Sequence, residues 1–221
     1  MQPLTVTDTQ MDNEQLIAEF KKSLLDEVKS TYGDLAQQFD DICGFGVFAP
    51  PYIESVFPAY QRSSELEGKS DQAQDKYWPP EWSSFGVLKF GSDFQKLVQQ
   101  VSERRSIHFD DPGALDADPV FEAILDVLVQ LESEGLFGPR TADRYVTMWD
   151  VGNDDEWILK SSERLNSAEV HNAAYSAHRS PPSSPAPAIR KKKKVSPKDA
   201  PRKETPRKKP PRKKPPRKKP Q

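Results

Sequence analysis

The first clear rhythm in the chain begins at Leu16. Leu16, Ile17, Phe20, Leu24 and Val28 recur at helical intervals among Glu, Lys, Asp and Ser, forming one apolar stripe. Asp12 precedes the stripe, with Gln15 three positions on, and Gly33 follows it, so a helix is predicted from Asp12 to about Gly33. A short helical segment, "LAQQFDDI", is expected next. At Gly44 the period changes. "FGVFA" and "ESVFPAYQ" are short, aromatic and β-branched, and "PPYI" separates them; the pattern predicts two adjacent antiparallel strands. Residues 61–76 are polar without a period and read as a surface loop.

Two more helices stand out further along. "SDFQKLVQQVSERR" places Phe94, Leu97, Val98 and Val101 on one face behind a Ser92–Gln95 capping box. "DPVFEAILDVLVQLESEG" has Asp118 as expected cap, Pro119 at the first helical position and Gly135 at the exit. Its face of Phe121, Ile124, Leu125, Leu128 and Leu131 is wide enough to predict the central core helix. "RYVTMWDV" then reads as a strand leading into the acidic turn "GNDDE". The fold class is therefore α+β, a small and mostly antiparallel sheet packed by about four helices, with a C-terminal tail.

Charge changes the picture after residue 178. Of 32 Lys and Arg, 18 lie from Arg179 onward, against only two of the 34 acids, so this tail carries +16 and residues 1–178 carry −18. Twelve of the 21 prolines lie there too, with no aromatic residue, a composition that cannot bury enough apolar surface to offset its ordering entropy. The expected organisation is a flexible leader over 1–11, a globular domain over 12–168, a linker over 169–178 and a disordered Lys/Arg/Pro-rich tail over 179–221.

The tail's candidate polyanion-binding residues are Arg190, Lys191, Lys192, Lys193 and Lys194, then Arg207, Lys208, Lys209, Arg212, Lys213, Lys214, Arg217, Lys218 and Lys219. The last nine belong to three copies of "PRKKP", preceded by the degenerate "PRKET". In polyproline geometry a period of five sends the cations round all sides, and no ring is present to stack on bases. Such a segment offers nonspecific electrostatics to nucleic acid or another polyanion, without sequence readout. The acidic body suits a basic protein partner, or the tail itself in an intramolecular contact. "RKKKKVSPK" would act as a nuclear-import signal in a eukaryotic source; otherwise a cytoplasmic location is expected.

Candidate chemistry is sparse. The single cysteine, Cys43, forms no intrachain disulfide and sits in an apolar stretch that favours an inert, buried thiol. No apolar run reaches the length of a membrane span, and the N-terminus lacks a signal-peptide layout. The unusual stretch is "YWPPEWSSFG", with Trp78, Pro79, Glu81 and Trp82 as the candidate block. It has two readings: Glu81 as an acid–base group in an aromatic cleft, or the tryptophans as packing anchors with Glu81 bonded to amides or an arginine. His108, with Asp110 and Asp111, matches no established metal-ligand spacing, and "DVGNDDE" lacks the order of a calcium loop. Phosphate-binding, nucleophile-elbow and zinc-protease motifs are absent. No catalytic residue, cofactor or metal is assigned. The expectation is a non-catalytic interaction module, with a tail-driven nucleic-acid-associated protein or an enzyme using Glu81 as alternatives.

The order of "FGVFA", the "YWPPEW" block, the long helix ending "EGLFG", "RYVTMWD" and "SSERLN" resembles an uncharacterised bacterial family, a domain of unknown function. That family carries a Trp-Ser-Pro-x-Glu-Trp block and a late Ser-x-x-Leu-Asn motif, here Ser162, Leu165 and Asn166. The resemblance covers roughly residues 13–168 and excludes the tail. It implies a small cytoplasmic protein, some relatives being similar to immunity or accessory proteins of toxin systems. Tyr77 stands where the family pattern has arginine, which removes the basis for an Arg–Glu81 pair at that point.

Overall fold

The computed structural model of the chain describes residues 12–69, 72–106, 115–151 and 156–179. Helix α1 (Asn13–Gln38) starts where the pattern predicts, with Asp12 accepting from the Gln15 backbone N–H at 2.7 Å. It does not stop at Gly33. A mid-helix glycine costs about 1 kcal/mol relative to alanine, and burial of Leu35 on the same stripe offsets that, so "LAQQ" extends the first helix. Strands β1 (Ile42–Ala49) and β2 (Phe57–Arg62) follow, joined through a turn in which Ile53 N–H bonds Pro50 C=O at 2.8 Å. The stretch read as a polar loop contains the end of β2 and a short helix, α2 (Gln72–Tyr77).

Helix α3 (Ser92–Ser106) opens without its expected capping box. The Gly91 N–H is taken by Glu27 of α1 at 2.8 Å, and the Gln95 amide reaches Val56 C=O at 3.1 Å, so the residues of the first turn are tied to other elements. In α4 (Ala117–Ser133) the cap is Asp116, not Asp118: its carboxylate accepts from the Ala117 N–H at 2.7 Å. Pro119 still falls in the first turn, where a missing N–H costs nothing. Gly135 leaves the helix with φ +80°. Strand β3 (Tyr145–Asp150) is followed by α5 (Glu156–Leu165) and α6 (Ala168–Arg179). Residues expected to form a linker are thus helical.

The sheet has the order β2-β1-β3, with β1 antiparallel to β2 and parallel to β3. The short turn between β1 and β2 permits the antiparallel pair. The return to β3 passes through α3 and α4, long enough for a parallel crossover. The fold is α+β, a small mixed sheet with six α-helices among the described residues.

Central β1 is buried on both faces. Phe45, Val47 and Ala49 face the larger core with Val146 and Met148 of β3, against α1, α3 and α4. Phe48, Tyr145 and Trp149 face a second core with Tyr77, Trp82, Val170 and Ala174. Gly44 and Gly46 alternate with the larger core's side chains and face this second layer. A Cβ on Gly44 would lie 3.1 Å from the Trp82 ring, and one on Gly46 would lie 2.5 Å from Phe48 Cζ.

All these elements belong to a unit spanning Met1–Ser183, distinct from a second unit, Ser184–Gln221. The leader, His108 with Asp110 and Asp111, residues 152–155 of the acidic turn, and the tail from residue 180 lie outside the described residues.

Candidate functional site: the aromatic block and the cleft beside it

The two prolines set the block's shape. Pro79–Glu81 make a short 3-10 turn, closed by Glu81 N–H to Trp78 C=O at 2.9 Å and Trp82 N–H to Pro79 C=O at 3.0 Å. The turn sends the tryptophans to different environments. Trp82 is buried at 2 % exposure, its indole N–H bonds Lys76 C=O at 3.2 Å, and its ring meets Phe48 and Tyr145 edge-on. Gly44 leaves room for it. Trp78 is half-buried, with ring centroids 5.5 Å from Trp149 and 5.0 Å from His178. Pro79 is buried, whereas Glu81 is exposed and its carboxylate makes no hydrogen bond or ion pair with a described residue. The structure places Trp82 in the second core and Trp78 against Trp149 and His178, and leaves Glu81 exposed at the surface. The tail cations of the polyanion reading lie outside the described residues.

The same block closes one edge of the sheet. Ser84 Oγ accepts from Tyr60 N–H at 2.7 Å and donates to Tyr60 C=O, satisfying both backbone groups that β2 turns away from β1. The opposite edge is closed by Asn166 of the late Ser-x-x-Leu-Asn motif and by Ser161 just before it. Asn166 Oδ1 accepts from Val146 N–H at 2.8 Å, and its Nδ2 donates to Val146 C=O at 2.7 Å and Ser162 C=O at 3.1 Å. Ser161 Oγ accepts from Met148 N–H at 3.0 Å. One asparagine amide therefore replaces a missing neighbouring strand at the outward-facing position of β3. These pairings join residues 20 or more positions apart, or side chain to backbone, and leave no periodic signal.

A cleft of about 350 Å³ opens at the sheet end where β1 begins, lined by residues including Asp40, Asp41, Cys43, Lys76, Asp143 and Arg144. Asp41 accepts from Arg62 at 2.7 Å and from the Ser64 hydroxyl at 2.6 Å, and these bonds lower its pKa to about 2. Burial pushes the Cys43 thiol up to about 11, so the thiolate is disfavoured at neutral pH. Lys76 donates to Ala142 C=O at 2.7 Å, and burial lowers its pKa despite the nearby Asp143 and Glu169 charges. Arg144 is committed elsewhere: it bonds both Glu132 oxygens and the Gly138 and Leu165 carbonyls. Burial raises the Glu132 pKa, but bonds and charges from Arg144 and Arg140 outweigh that and leave it lowered. The cations of the cleft are thus held by protein oxygens, while the carboxylates of Asp40 and Asp143 stand exposed at its rim.

Among the described residues no group of three or more His, Cys, Asp or Glu is placed to hold a metal ion, and no helix is long and apolar enough to cross a membrane. No curated protein and no solved structure matches the chain. Residues 24–167 match a family described as a domain of unknown function (DUF4303), within the span of the resemblance read from the aromatic block and the late Ser-x-x-Leu-Asn motif. With well over half its length inside that match, and with both motifs built into the two sides of its sheet, the chain belongs to this domain-of-unknown-function family.

Proposed function

We propose that the body is a non-catalytic interaction module whose acidic surface takes a basic protein partner, as an immunity-type protein does, and that the tail adds nonspecific binding of polyanions. The observation that carries this reading is the division of charge, −18 over residues 1–178 and +16 over the rest. The placement of side chains supports it. Glu14, Glu19, Asp34, Glu54, Glu81 and Glu163 are exposed and have no ion-pair partner among the described residues. Opposite potentials of this size steer encounter and raise association rates, and salt weakens the effect.

Two measurements test the two halves. Full-length chain should shift duplex DNA at about 50 mM salt, with log affinity falling steeply against log salt, and a variant ending at residue 178 should not. Absence of a shift by the full chain refutes the tail's role. For the body, immobilised full-length chain and the 178-residue variant should capture the same basic protein from a source lysate. Replacing Glu14, Glu19 and Asp34 with lysine should release it. Capture insensitive to those replacements, or confined to chains with the tail, refutes the acidic-body reading.

A further inference from the structure

Phe57, Phe85, Trp149, Trp78 and His178 form a continuous row across one face of the sheet, with successive ring centroids 5.3, 5.8, 5.5 and 5.0 Å apart. Phe57, Phe85, Trp78 and His178 are only half-buried, so the row shows aromatic surface to solvent. Trp149 lies deeper, at 8 % exposure, and its buried indole N–H has no hydrogen-bond partner among the described residues. Buried indole N–H groups ordinarily find an acceptor, so this donor gains one where an arriving segment shifts the half-buried rings around it. Glu81, exposed and without an ion-pair partner among the described residues, stands three positions from Trp78 in the same tight turn.

We propose that this row is a docking surface for a proline-rich, cationic segment of a partner protein. The inference rests on the acidic body being an interaction module, and it gives that module an address and its partner a chemistry. Polyproline II has no internal hydrogen bonds, so its carbonyls are free to accept from an indole N–H while its rings pack on aromatic faces. Followed from centroid to centroid the row is about 22 Å, so at most about seven residues at about 3.1 Å each would cover it. Charge complementarity selects among proline-rich segments. Glu81 beside the row, on a body of −18, favours Lys and Arg between the prolines and disfavours acids.

The probe is the synthetic peptide PRKKPPRKKPPRKKP, which has no aromatic residue, so every tryptophan signal comes from the protein. Added to the full-length chain, it should produce a saturable change in tryptophan emission and move the Trp149 indole resonance as its N–H gains an acceptor. Trp78→Ala should weaken binding about tenfold, and Trp149→Phe, which keeps a ring but removes the donor, about three- to tenfold. Glu81→Lys should weaken it to a similar degree, and the same peptide with alanine for every proline should bind at least about tenfold less tightly. Thermal melts check that each variant folds; if Trp78→Ala does not, Trp149→Phe and the surface change at Glu81 decide. Equal binding of both peptides, unaffected by Trp149→Phe, overturns the docking surface while leaving the acidic body a partner for basic proteins. Binding of neither peptide overturns the docking surface, and the capture experiment then judges the acidic body separately. A full-length chain whose Trp149 resonance ignores added peptide up to about 1 mM, yet moves when its own residues 206–220 are removed, overturns the assignment to a partner.

Discussion

Replacing Asn166 by alanine tests whether the late motif is a structural seal. The side chain is 3 % exposed and makes three hydrogen bonds, two of them to the backbone N–H and C=O of Val146. Alanine cannot fill either role, and both Val146 groups would remain in a buried site facing no strand. An unsatisfied buried polar group costs about 1–3 kcal/mol, so two cost about 2–6 kcal/mol, with partial water entry favouring the lower half. About 3 kcal/mol is a large share of a typical 5–15 kcal/mol domain stability. In a domain of this size it lowers the melting temperature by about 6–12 °C. Urea unfolding, followed by tryptophan emission and circular dichroism, measures the loss directly if the m-value is unchanged. Asn166→Asp sharpens the test: it keeps the acceptor for Val146 N–H but sets a carboxylate oxygen against Val146 C=O. It should be worse than alanine at pH 7 and recover partly as acid protonates it. An alanine variant within about 1 kcal/mol of the parent, at equal m-value, refutes the seal.

Three further outcomes follow from packing and charge. Glu132→Gln removes the counter-charge of the Arg144 guanidinium, with side chains 6 % and 9 % exposed, and should cost about 3–5 kcal/mol in urea unfolding. Because the folded Glu132 pKa is lowered, its contribution is fully present above the unfolded carboxylate pKa and lost as pH falls through the folded value. The variant's stability should therefore decline less steeply in acid than the parent's. Cys43, with its thiol pushed up to about 11 and its side chain buried, should react with a disulfide reagent in native protein only as fast as the protein opens; rapid stoichiometric labelling refutes that. The glycines should divide by sign in thermal melts. Gly46→Ala meets Phe48 at 2.5 Å and Thr147 O at 3.1 Å and should cost about 1–3 kcal/mol, whereas Gly33→Ala, with nothing within 4 Å in α1, should stabilise by about 0.5–1 kcal/mol.

The parts of the fold legible in the sequence were those with a period. Leu16, Phe20, Leu24 and Val28 lie on the buried stripe of α1, the wide face of α4 is wholly buried, and "RYVTMWDV" contains β3. Local chemistry was legible only where it competed with nothing. Asp12 caps α1 as expected, but Gln95 is drawn from its capping box to Val56 C=O by tertiary contact. Helices α5 and α6 were missed for a physical reason. In "EWILKSSERL" three of the four large apolar residues are consecutive and the buried face also holds Ser161, spent on β3, while "AEVHNAAYSAHR" has few large apolar residues and packs through Val170 and Ala174. In the candidate site, Trp78 and Trp82 were recognisable as unusual. Their separate fates were not, since these depend on Gly44, Trp149 and His178 arriving from distant segments.

Those long-range contacts constrain how the protein can meet a partner. A three-stranded sheet ordinarily leaves two edges whose free N–H and C=O groups invite an added strand. Here Tyr60 on one edge is closed by Ser84, and Val146 and Met148 on the other are closed by Asn166 and Ser161. Recognition by strand addition would first have to break hydrogen bonds that are already made, two per position at Tyr60 and Val146. For the proposed interaction module, that favours side-chain surfaces as the means of contact. Two kinds bear on the proposed module: exposed carboxylates with no ion-pair partner among the described residues, and the half-buried ring row that begins at Phe57 and ends at His178. Carboxylates alone discriminate poorly among cationic partners, because their attraction is long-ranged and salt-screened. The rings act only at contact and demand shape. A partner satisfying both must carry its positive charge on a segment that can lie flat on the rings, and the Trp149→Phe and proline-to-alanine comparisons separate those two demands.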